Sequence, residues 1–118
     1  MNILVVDDSA TMRKIVGLTL SGAGHSFTEA ENGRLALEAL KGASFQCIIL
    51  DINMPEMNGI EFLKAYGAMG GGKAPVIVLT TQDEDTLKKE AASLGATAFL
   101  IKPFQKEGLI EALQGAVV

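Results

Sequence analysis

In the segment Gln46-Cys47-Ile48-Ile49-Leu50-Asp51-Ile52-Asn53-Met54-Pro55, a short apolar run ends abruptly in a carboxylate. The four apolar residues, Cys47 to Leu50, are typical of a strand buried on both faces, as in a parallel sheet. The turn-forming pairs Met54-Pro55 and Asn58-Gly59 then lead the chain away from the sheet. Open α/β sheets bind ligands outside the carboxyl ends of their strands, so Asp51 is a candidate site residue. Taken alone, it could equally be a helix cap or a turn former.

Three further apolar runs alternate with segments of helical periodicity. The runs cover residues 3–6, 76–79 and 98–101. Residues 26–30 alternate polar and apolar side chains over most of their length, which suits an edge strand better than a central one. The intervening segments predict five helices, the first from the cap Ser9 to Gly22 and the others over about 35–40, 58–66, 83–94 and 105–116.

This βαβαβαβαβα alternation predicts a parallel sheet of five strands with helices on both faces. Right-handed crossovers leave only a few topologies, and the edge pattern of residues 26–30 favours the strand order 2-1-3-4-5. The expected fold is therefore a flavodoxin-like, doubly wound α/β sheet with five helices. A length of 118 residues predicts one domain over 1–118, without a second or output domain.

Composition and charge exclude several classes of function. The net charge of −4 disfavours binding to a nucleic-acid backbone, and no apolar stretch approaches the ~18 residues of a membrane span. Cys47 is the only cysteine and lies in an apolar run, which indicates a buried residue in a reduced compartment. His25 has no cysteine or second histidine nearby, so we interpret it as a surface loop residue. Without signal-peptide features, the protein is expected in the cytoplasm.

Polar residues follow each buried run, and parallel neighbours would bring them to one edge of the sheet. They are Asp7, Asp8, Asp51, Thr80 and Lys102. Three carboxylates facing one ammonium leave an excess of about two negative charges, which a hard divalent cation with oxygen ligands would neutralise. Mg²⁺ fits best. With Asp51 as nucleophile, Lys102 as a cation and Thr80 as a hydroxyl donor, the set predicts a phosphoryl-transfer site.

Over essentially its whole length, the chain resembles the CheY-type receiver domains of response regulators. The matching motifs are Val5-Val6-Asp7-Asp8-Ser9, Leu50-Asp51-Ile52-Asn53-Met54-Pro55-Glu56-Met57-Asn58-Gly59, Thr80-Thr81 and Lys102-Pro103-Phe104. The opening Asp7-Asp8-Ser9-Ala10-Thr11-Met12-Arg13-Lys14 resembles chemotaxis regulators in particular. The resemblance implies a two-component signalling protein that catalyses its own phosphorylation and dephosphorylation and is not a conventional turnover enzyme.

The resemblance also implies roles for individual residues. Asp51 would be the phosphoacceptor. Asp8 and Asp51 would bind Mg²⁺ directly with the backbone carbonyl of Asn53, and Asp7 would bind it through water. Thr80 and Lys102 would contact the phosphoryl group, and a cis Lys102–Pro103 peptide would aim the ammonium at the pocket.

Expected partners follow from the same resemblance. They are a sensor histidine kinase, expected to be a chemotaxis kinase, a flagellar motor switch protein or other effector, and a phosphatase. Thr80 and Phe99 are the expected switch, acting on a surface formed by the fourth helix, the fifth strand and the fifth helix. Relatives in the chemotaxis group often carry Tyr where this chain has Phe99, so a contact through that hydroxyl is lost.

The sequence argues against two alternative functions and does not separate a third. A flavin-binding flavodoxin-like protein would need a Ser/Thr/Gly-rich phosphate loop, where this chain has Asp7-Asp8. A phosphatase resembling the haloacid dehalogenase group would carry an Asp two residues after its nucleophile, where this chain has Asn53, which cannot transfer protons. A receiver acting as a phosphate sink, or as an adaptor in a phosphorelay outside chemotaxis, cannot be separated from a motor ligand by sequence.

Overall fold

The computed structural model describes residues 1–52, 58–69, 74–80, 85–102 and 104–117. Strands and helices alternate along the chain. The strands are β1 (Asn2–Val6), β2 (Ser26–Ala30), β3 (Cys47–Asp51), β4 (Val76–Thr80) and β5 (Ala96–Ile101). The helices are α1 (Ala10–Gly22), α2 (Gly33–Gly42), α3 (Gly59–Ala68), α4 (Asp85–Ser93) and α5 (Lys106–Val117).

The five strands form one parallel sheet in the order β2-β1-β3-β4-β5, which confirms the predicted topology. All five residues of β3 and all five of β4 are buried, whereas the edge strands β2 and β5 are partly exposed. Burial on both faces explains why the central strands are continuous apolar runs. Parallel pairing also brings the carboxyl ends of all strands to one edge of the sheet.

The core consists of two apolar layers, one on each face of the sheet. Successive side chains of a strand point to opposite faces, so neighbours in β3 belong to different layers. Ile48 belongs to the layer that contains side chains from α2, α3 and α4, whereas Ile49 belongs to the layer that contains side chains from α1 and α5. Each helix therefore contacts only one face of the sheet through its apolar side.

Side-chain caps fix where three of the helices begin. Ser9, Asn32 and Asn58 accept hydrogen bonds from the backbone N–H groups of Met12, Leu35 and Glu61. At α3 the Glu61 carboxylate also accepts a hydrogen bond from the Asn58 N–H group, which completes a capping box. These caps start α1 and α3 a short distance beyond the carboxyl ends of β1 and β3.

Some helix details differ from the sequence expectations. Helix α2 begins at Gly33, two residues before the predicted start, because Asn32 caps it there. Ile15 shares the helical spacing of Val16 and Leu20 but is 46% exposed, so the buried stripe of α1 is narrower than its sequence pattern. Within the described residues, no helix is long and apolar enough to cross a bilayer.

Candidate functional site

Asp7, at the carboxyl end of β1, is buried and held by its neighbours. Its N–H donates to the carbonyl of Ala30 at 3.1 Å, and its Oδ1 accepts from the N–H of Ser9 at 2.9 Å. Ser9 in turn caps α1 through its hydroxyl. The start of α1 therefore sets the orientation of the Asp7 carboxylate.

Lys102 connects two carboxylates at this edge of the sheet. Its Nζ lies 3.1 Å from Oδ2 of Asp7 and 3.3 Å from Oδ1 of Asp51. The three side chains are 12%, 3% and 7% exposed, respectively, so the pairs are largely shielded from water. The N–H of Lys102 donates to the carbonyl of Thr80 at 2.7 Å, which ties the end of β5 to the end of β4. Buried charges are costly unless paired, so the contact with a shared ammonium offsets the desolvation of both carboxylates.

Asp8 completes an acidic group at the same edge. Asp7, Asp8 and Asp51 each offer a carboxylate oxygen, and these oxygens lie within 4.8 Å of one another. Asp7 and Asp51 are buried, and Asp8 is exposed. Counted as formal charges, three carboxylates and the Lys102 ammonium that contacts two of them leave an excess of about two negative charges.

The donor set fits a small hard cation. In an octahedral Mg²⁺ site with bonds of ~2.1 Å, ligand oxygens are separated by ~3 Å when adjacent and ~4 Å when opposite. Oxygens that lie within 4.8 Å of one another need to move by less than about an ångström to reach that geometry. All three donors are carboxylates, which suits Mg²⁺ and not a metal that prefers nitrogen or sulfur ligands.

Thr80 and Phe99 lie on the same face of the sheet. Phe99 is opposite Val78 and Ile101 is opposite Thr80 in the β4–β5 register, and alternation puts Val78 and Thr80 on one side of β4. Phe99 is half-buried and packs on the layer that contains Val78, whereas Thr80 is buried. A movement of Thr80 would therefore act on the face of the sheet where Phe99 packs.

Some of the predicted site residues lie outside the described part of the chain. These are Asn53, expected to bind metal through its carbonyl, and Pro103, expected to follow a cis peptide bond.

Arg13 is a residue of the site that the sequence analysis missed. Its Nη1 donates to the main-chain carbonyl of Asp7 at 2.6 Å, and its Nε donates to Oε1 of Glu29 at 3.0 Å. The Arg13 side chain is 14% exposed. Helical side chains lean toward the helix N-terminus, so an Arg in the first turns of α1 reaches back to the end of β1. That direction is the sequence signal that could have identified it.

Gly59 allows α3 to begin against the strand that carries Asp51. A Cβ atom at Gly59 would lie 2.7 Å from Cα of Ile52 and 3.0 Å from the carbonyl oxygen of Asp51. The N–H of Gly59 donates to the carbonyl of Ile52 at 2.9 Å. Only a residue without a side chain permits this approach, so Gly59 determines how closely α3 packs behind Asp51.

Cys47 and His25 do not belong to the acidic group. Cys47 is fully buried, and burial raises the pKa of its thiol to about 11, an effect that the backbone of Ile48 opposes only in part. The predicted burial of Cys47 is therefore confirmed. His25 precedes β2 at the opposite edge of the sheet and is half-buried, with its Nδ1 3.0 Å from the amino group of Met1. Desolvation, followed by the charge of that amino group, lowers the pKa of His25.

Comparisons with known proteins agree with this architecture. Residues 3–114 match the family model of the response regulator receiver domain. The chemotaxis protein CheY of Thermotoga maritima is 38% identical over 112 residues, which cover 94% of this chain and 92% of the relative. The transcriptional regulatory protein FixJ of Bradyrhizobium diazoefficiens is 36% identical over 116 residues, 98% of this chain but only 56% of the relative. The chain thus spans little more than half the length of FixJ.

Solved structures show the same fold. The chemotaxis response regulator CheY4 of Vibrio cholerae superposes with a TM-score of 0.89 at 41% identity, over 96% of this chain and 95% of that one. A receiver domain of the Francisella response regulator 1452 superposes with a TM-score of 0.88 at 28% identity, over 98% and 95% of the two chains. Sequence, fold and acidic edge agree: this chain belongs to the receiver domain family of response regulators.

Proposed function

We propose that this receiver domain accepts a phosphoryl group on Asp51 from a phosphohistidine of a sensor histidine kinase. The observation that carries the proposal is the Lys102 ammonium, held 3.1 Å from Asp7 and 3.3 Å from Asp51. A carboxylate nucleophile, an acidic group for a hard cation and a fixed ammonium are the parts required for phosphoryl transfer to an aspartate. They lie together at the carboxyl edge of the sheet, where α/β folds bind ligands.

In the proposed reaction, a carboxylate oxygen of Asp51 attacks the phosphorus atom. The new O–P bond forms as the P–N bond to the histidine breaks, and the imidazole keeps the electron pair. The Asp51 side chain is only 7% exposed, so the donor must approach from the open side of the site, where Asp8 is exposed. The transition state carries negative charge on the phosphoryl oxygens, so positioning and charge neutralisation supply most of the catalysis.

Asp8 and Asp51 would bind Mg²⁺ directly, Asn53 would add its carbonyl, and Asp7 would contact the ion through water. The bound ion would supply positive charge between the acids and the incoming phosphoryl group. Lys102 would turn from Asp7 toward a phosphoryl oxygen on Asp51. This change is short, because its ammonium already lies 3.3 Å from the Asp51 carboxylate.

The proposed output is a change in the surface formed by α4, β5 and α5. The Thr80 hydroxyl would move toward the phosphoryl oxygens and so let Phe99 turn inward on the same face of the sheet. The half-buried position of Phe99 supports this, because the side chain packs against the core and is also partly exposed to solvent. The phosphoryl group can shift the equilibrium between two states only by interacting differently with each of them. The contact with the Thr80 hydroxyl is the one that would differ between the two states.

Chemotaxis is the proposed pathway. Support comes from relatives named as CheY proteins that are covered over 90% or more of their length, as in Thermotoga maritima and Helicobacter pylori. The expected partners are then a chemotaxis kinase, the flagellar motor switch protein and a phosphatase, all met in the cytoplasm. A phosphate sink would take the same phosphoryl group without binding an effector.

The decisive experiment is phosphorylation followed by partner capture. The purified protein is incubated with acetyl phosphate or with phosphorylated candidate kinases, with Mg²⁺ or with EDTA. We expect a mass increase of one phosphoryl group that requires Mg²⁺ and is lost in Asp51→Asn. A mass increase that persists in Asp51→Asn would place the modification elsewhere. Capture of a motor switch protein by the phosphorylated form supports motor binding, and phosphorylation without any effector supports the sink.

A further inference from the structure

We propose that Arg13 is a positioning residue for the acidic group, which it holds through the main chain of Asp7 and not through a carboxylate. The part of this inference that concerns metal binding rests on the proposed function, which includes a Mg²⁺ site at the acidic group. Among the residues that the structure describes, the hydrogen bonds of Arg13 reach none of the carboxylates of Asp7, Asp8 and Asp51. It joins three segments instead: α1, which carries it, the end of β1 at Asp7, and β2 at Glu29.

The carbonyl that Arg13 binds belongs to the peptide group that joins Asp7 to Asp8. A peptide group is planar, so anchoring its oxygen fixes the plane from which both acidic residues project. The remaining polar groups of Asp7 are also occupied: its N–H by Ala30, Oδ1 by Ser9 and Oδ2 by Lys102. Arg13 therefore supplies the contact that holds this peptide from the α1 side.

The geometry requires a guanidinium group. Nε and Nη1 are separate donors with directions fixed by one plane, and here they serve an acceptor on β2 at 3.0 Å and an acceptor just beyond β1 at 2.6 Å. A lysine ammonium carries its charge on a single flexible atom and cannot reproduce both directions. Because Glu29 is 46% exposed and Arg13 only 14%, the outer end of this contact meets solvent while the inner end is protected.

A positioning role and a purely electrostatic role of Arg13 predict opposite changes in Mg²⁺ affinity when Arg13 is replaced. A positive charge beside the acidic group repels a divalent cation, so its removal alone would tighten Mg²⁺ binding. A positioning role predicts weaker binding when the guanidinium is lost, whether or not the charge is kept. Partners that orient metal ligands are typically worth ~10- to 100-fold in affinity. The two roles are therefore distinguished by the sign of the change.

The experiment compares Mg²⁺ affinity by isothermal titration in the parent protein, Arg13→Lys, Arg13→Gln and Glu29→Gln. We expect Arg13→Lys and Arg13→Gln each to weaken binding about 10-fold, the lower end of the range for orienting partners. Glu29→Gln keeps an oxygen acceptor and should have a smaller effect. Arg34→Lys and Glu38→Gln are matched controls, since this exposed i,i+4 pair on α2 contains the same residue types, and they should leave the affinity unchanged.

A second measurement needs no metal. Hydrogen exchange at the N–H of Ser9, which donates to Oδ1 of Asp7, reports whether the end of β1 is held in place. Exchange at this N–H should be faster in Arg13→Lys than in the parent protein, and unchanged in Arg34→Lys. Urea denaturation checks that the compared proteins have equal global stability. Unchanged Mg²⁺ affinity in Arg13→Lys, or tighter binding in Arg13→Gln, would overturn the proposal. If the parent protein itself binds no Mg²⁺, the proposed metal site is wrong, and Ser9 exchange alone then decides the role of Arg13.

Discussion

Lys102 Nζ lies 3.3 Å from Oδ1 of Asp51, although their strands are not neighbours in the sheet. Lys102 follows β5 and Asp51 ends β3, so the side chain of Lys102 reaches past the end of β4 to meet Asp51. The hydrogen bond from the N–H of Lys102 to the carbonyl of Thr80 fixes the point from which it reaches. The acidic edge is thus neutralised in part by a residue two strands away.

Replacing Lys102 with Met should strongly destabilise the metal-free protein. The change leaves the buried carboxylates of Asp7 and Asp51 without their shared ammonium, and loss of one partner of a buried pair costs ~3–5 kcal/mol. Urea denaturation in EDTA measures the free energy of unfolding. Saturating Mg²⁺ should recover part of the loss, because it restores positive charge to the same site. Equal stability of Lys102→Met and the parent protein in EDTA would show that the ion pairs contribute nothing to stability.

Asp8→Asn should change stability and metal binding in opposite directions. Removing one of three close carboxylates relieves repulsion, so we expect the melting temperature to rise in EDTA. The same change removes a proposed direct ligand, so the Mg²⁺ affinity should fall. Glu111→Gln, which removes one negative charge from an exposed position on α5, is the control. If Asp8→Asn binds Mg²⁺ as tightly as the parent protein, Asp8 is not a ligand.

Gly59→Ala and Gly67→Ala should have opposite effects on stability, although both glycines lie in α3. A Cβ atom at Gly59 would lie 2.7 Å from Cα of Ile52, so α3 must shift, at a cost of ~1–3 kcal/mol typical of overpacking. Gly67 has open space around it, and alanine there should stabilise the helix by ~0.5–1 kcal/mol. Thermal and urea denaturation compare the two. A neutral Gly59→Ala would mean that α3 can withdraw from Asp51 without cost.

Thr80→Ala should separate phosphorylation from output. Asp51, the acidic group and Lys102 remain, so acetyl phosphate should still modify Asp51. The variant lacks the hydroxyl proposed to follow the phosphoryl group, so its affinity for the effector should stay at the unphosphorylated level. Thr28→Ala, an exposed position on the far edge strand β2, is the control. Full effector binding by phosphorylated Thr80→Ala would refute the proposed switch.

Cys47 should resist alkylation in the folded protein. Burial raises the pKa of its thiol from 9.0 to about 11, so the thiolate is scarce in the folded state below that pH. Between pH 9 and pH 11 the folded state keeps the thiol proton, whereas the unfolded state loses it. The free energy of unfolding should therefore be unaffected by Cys47 below pH 9 and should fall as the pH rises toward 11. Iodoacetamide labelling at pH 8.5, with and without urea, measures the protection. Cys47→Ala should lack the alkaline loss of stability.

The fold could be predicted because its signals are local. Continuous apolar runs such as 47–50 identify strands buried on both faces, and alternation in 26–30 identifies an edge. The strand order followed from these patterns and from the handedness of parallel crossovers. The convergence of Asp7, Asp8 and Asp51 followed in turn, because parallel strands end at one edge.

The contacts that depend on side-chain reach could not be predicted in the same way. The sequence gives no measure of how far Lys102 extends, so its pairing with both Asp7 and Asp51 appears only in three dimensions. The contact of Arg13 with Asp7 could not be predicted because the acceptor is a main-chain carbonyl, a group that every residue possesses. Ile15 has the spacing of a core residue, yet α1 lies against the sheet along a narrower line than that spacing suggests.

Because the core is divided into two apolar layers, a structural change on each face of the sheet can be followed separately through the methyl groups of that layer. The methyl groups of Ile48 and Ile49 are adjacent in sequence but sample opposite sides of the sheet. The proposed movement of Phe99 belongs to the side of Ile48, while α1 and α5 lie on the side of Ile49. Methyl NMR spectra could therefore assign any structural response to one half of the molecule.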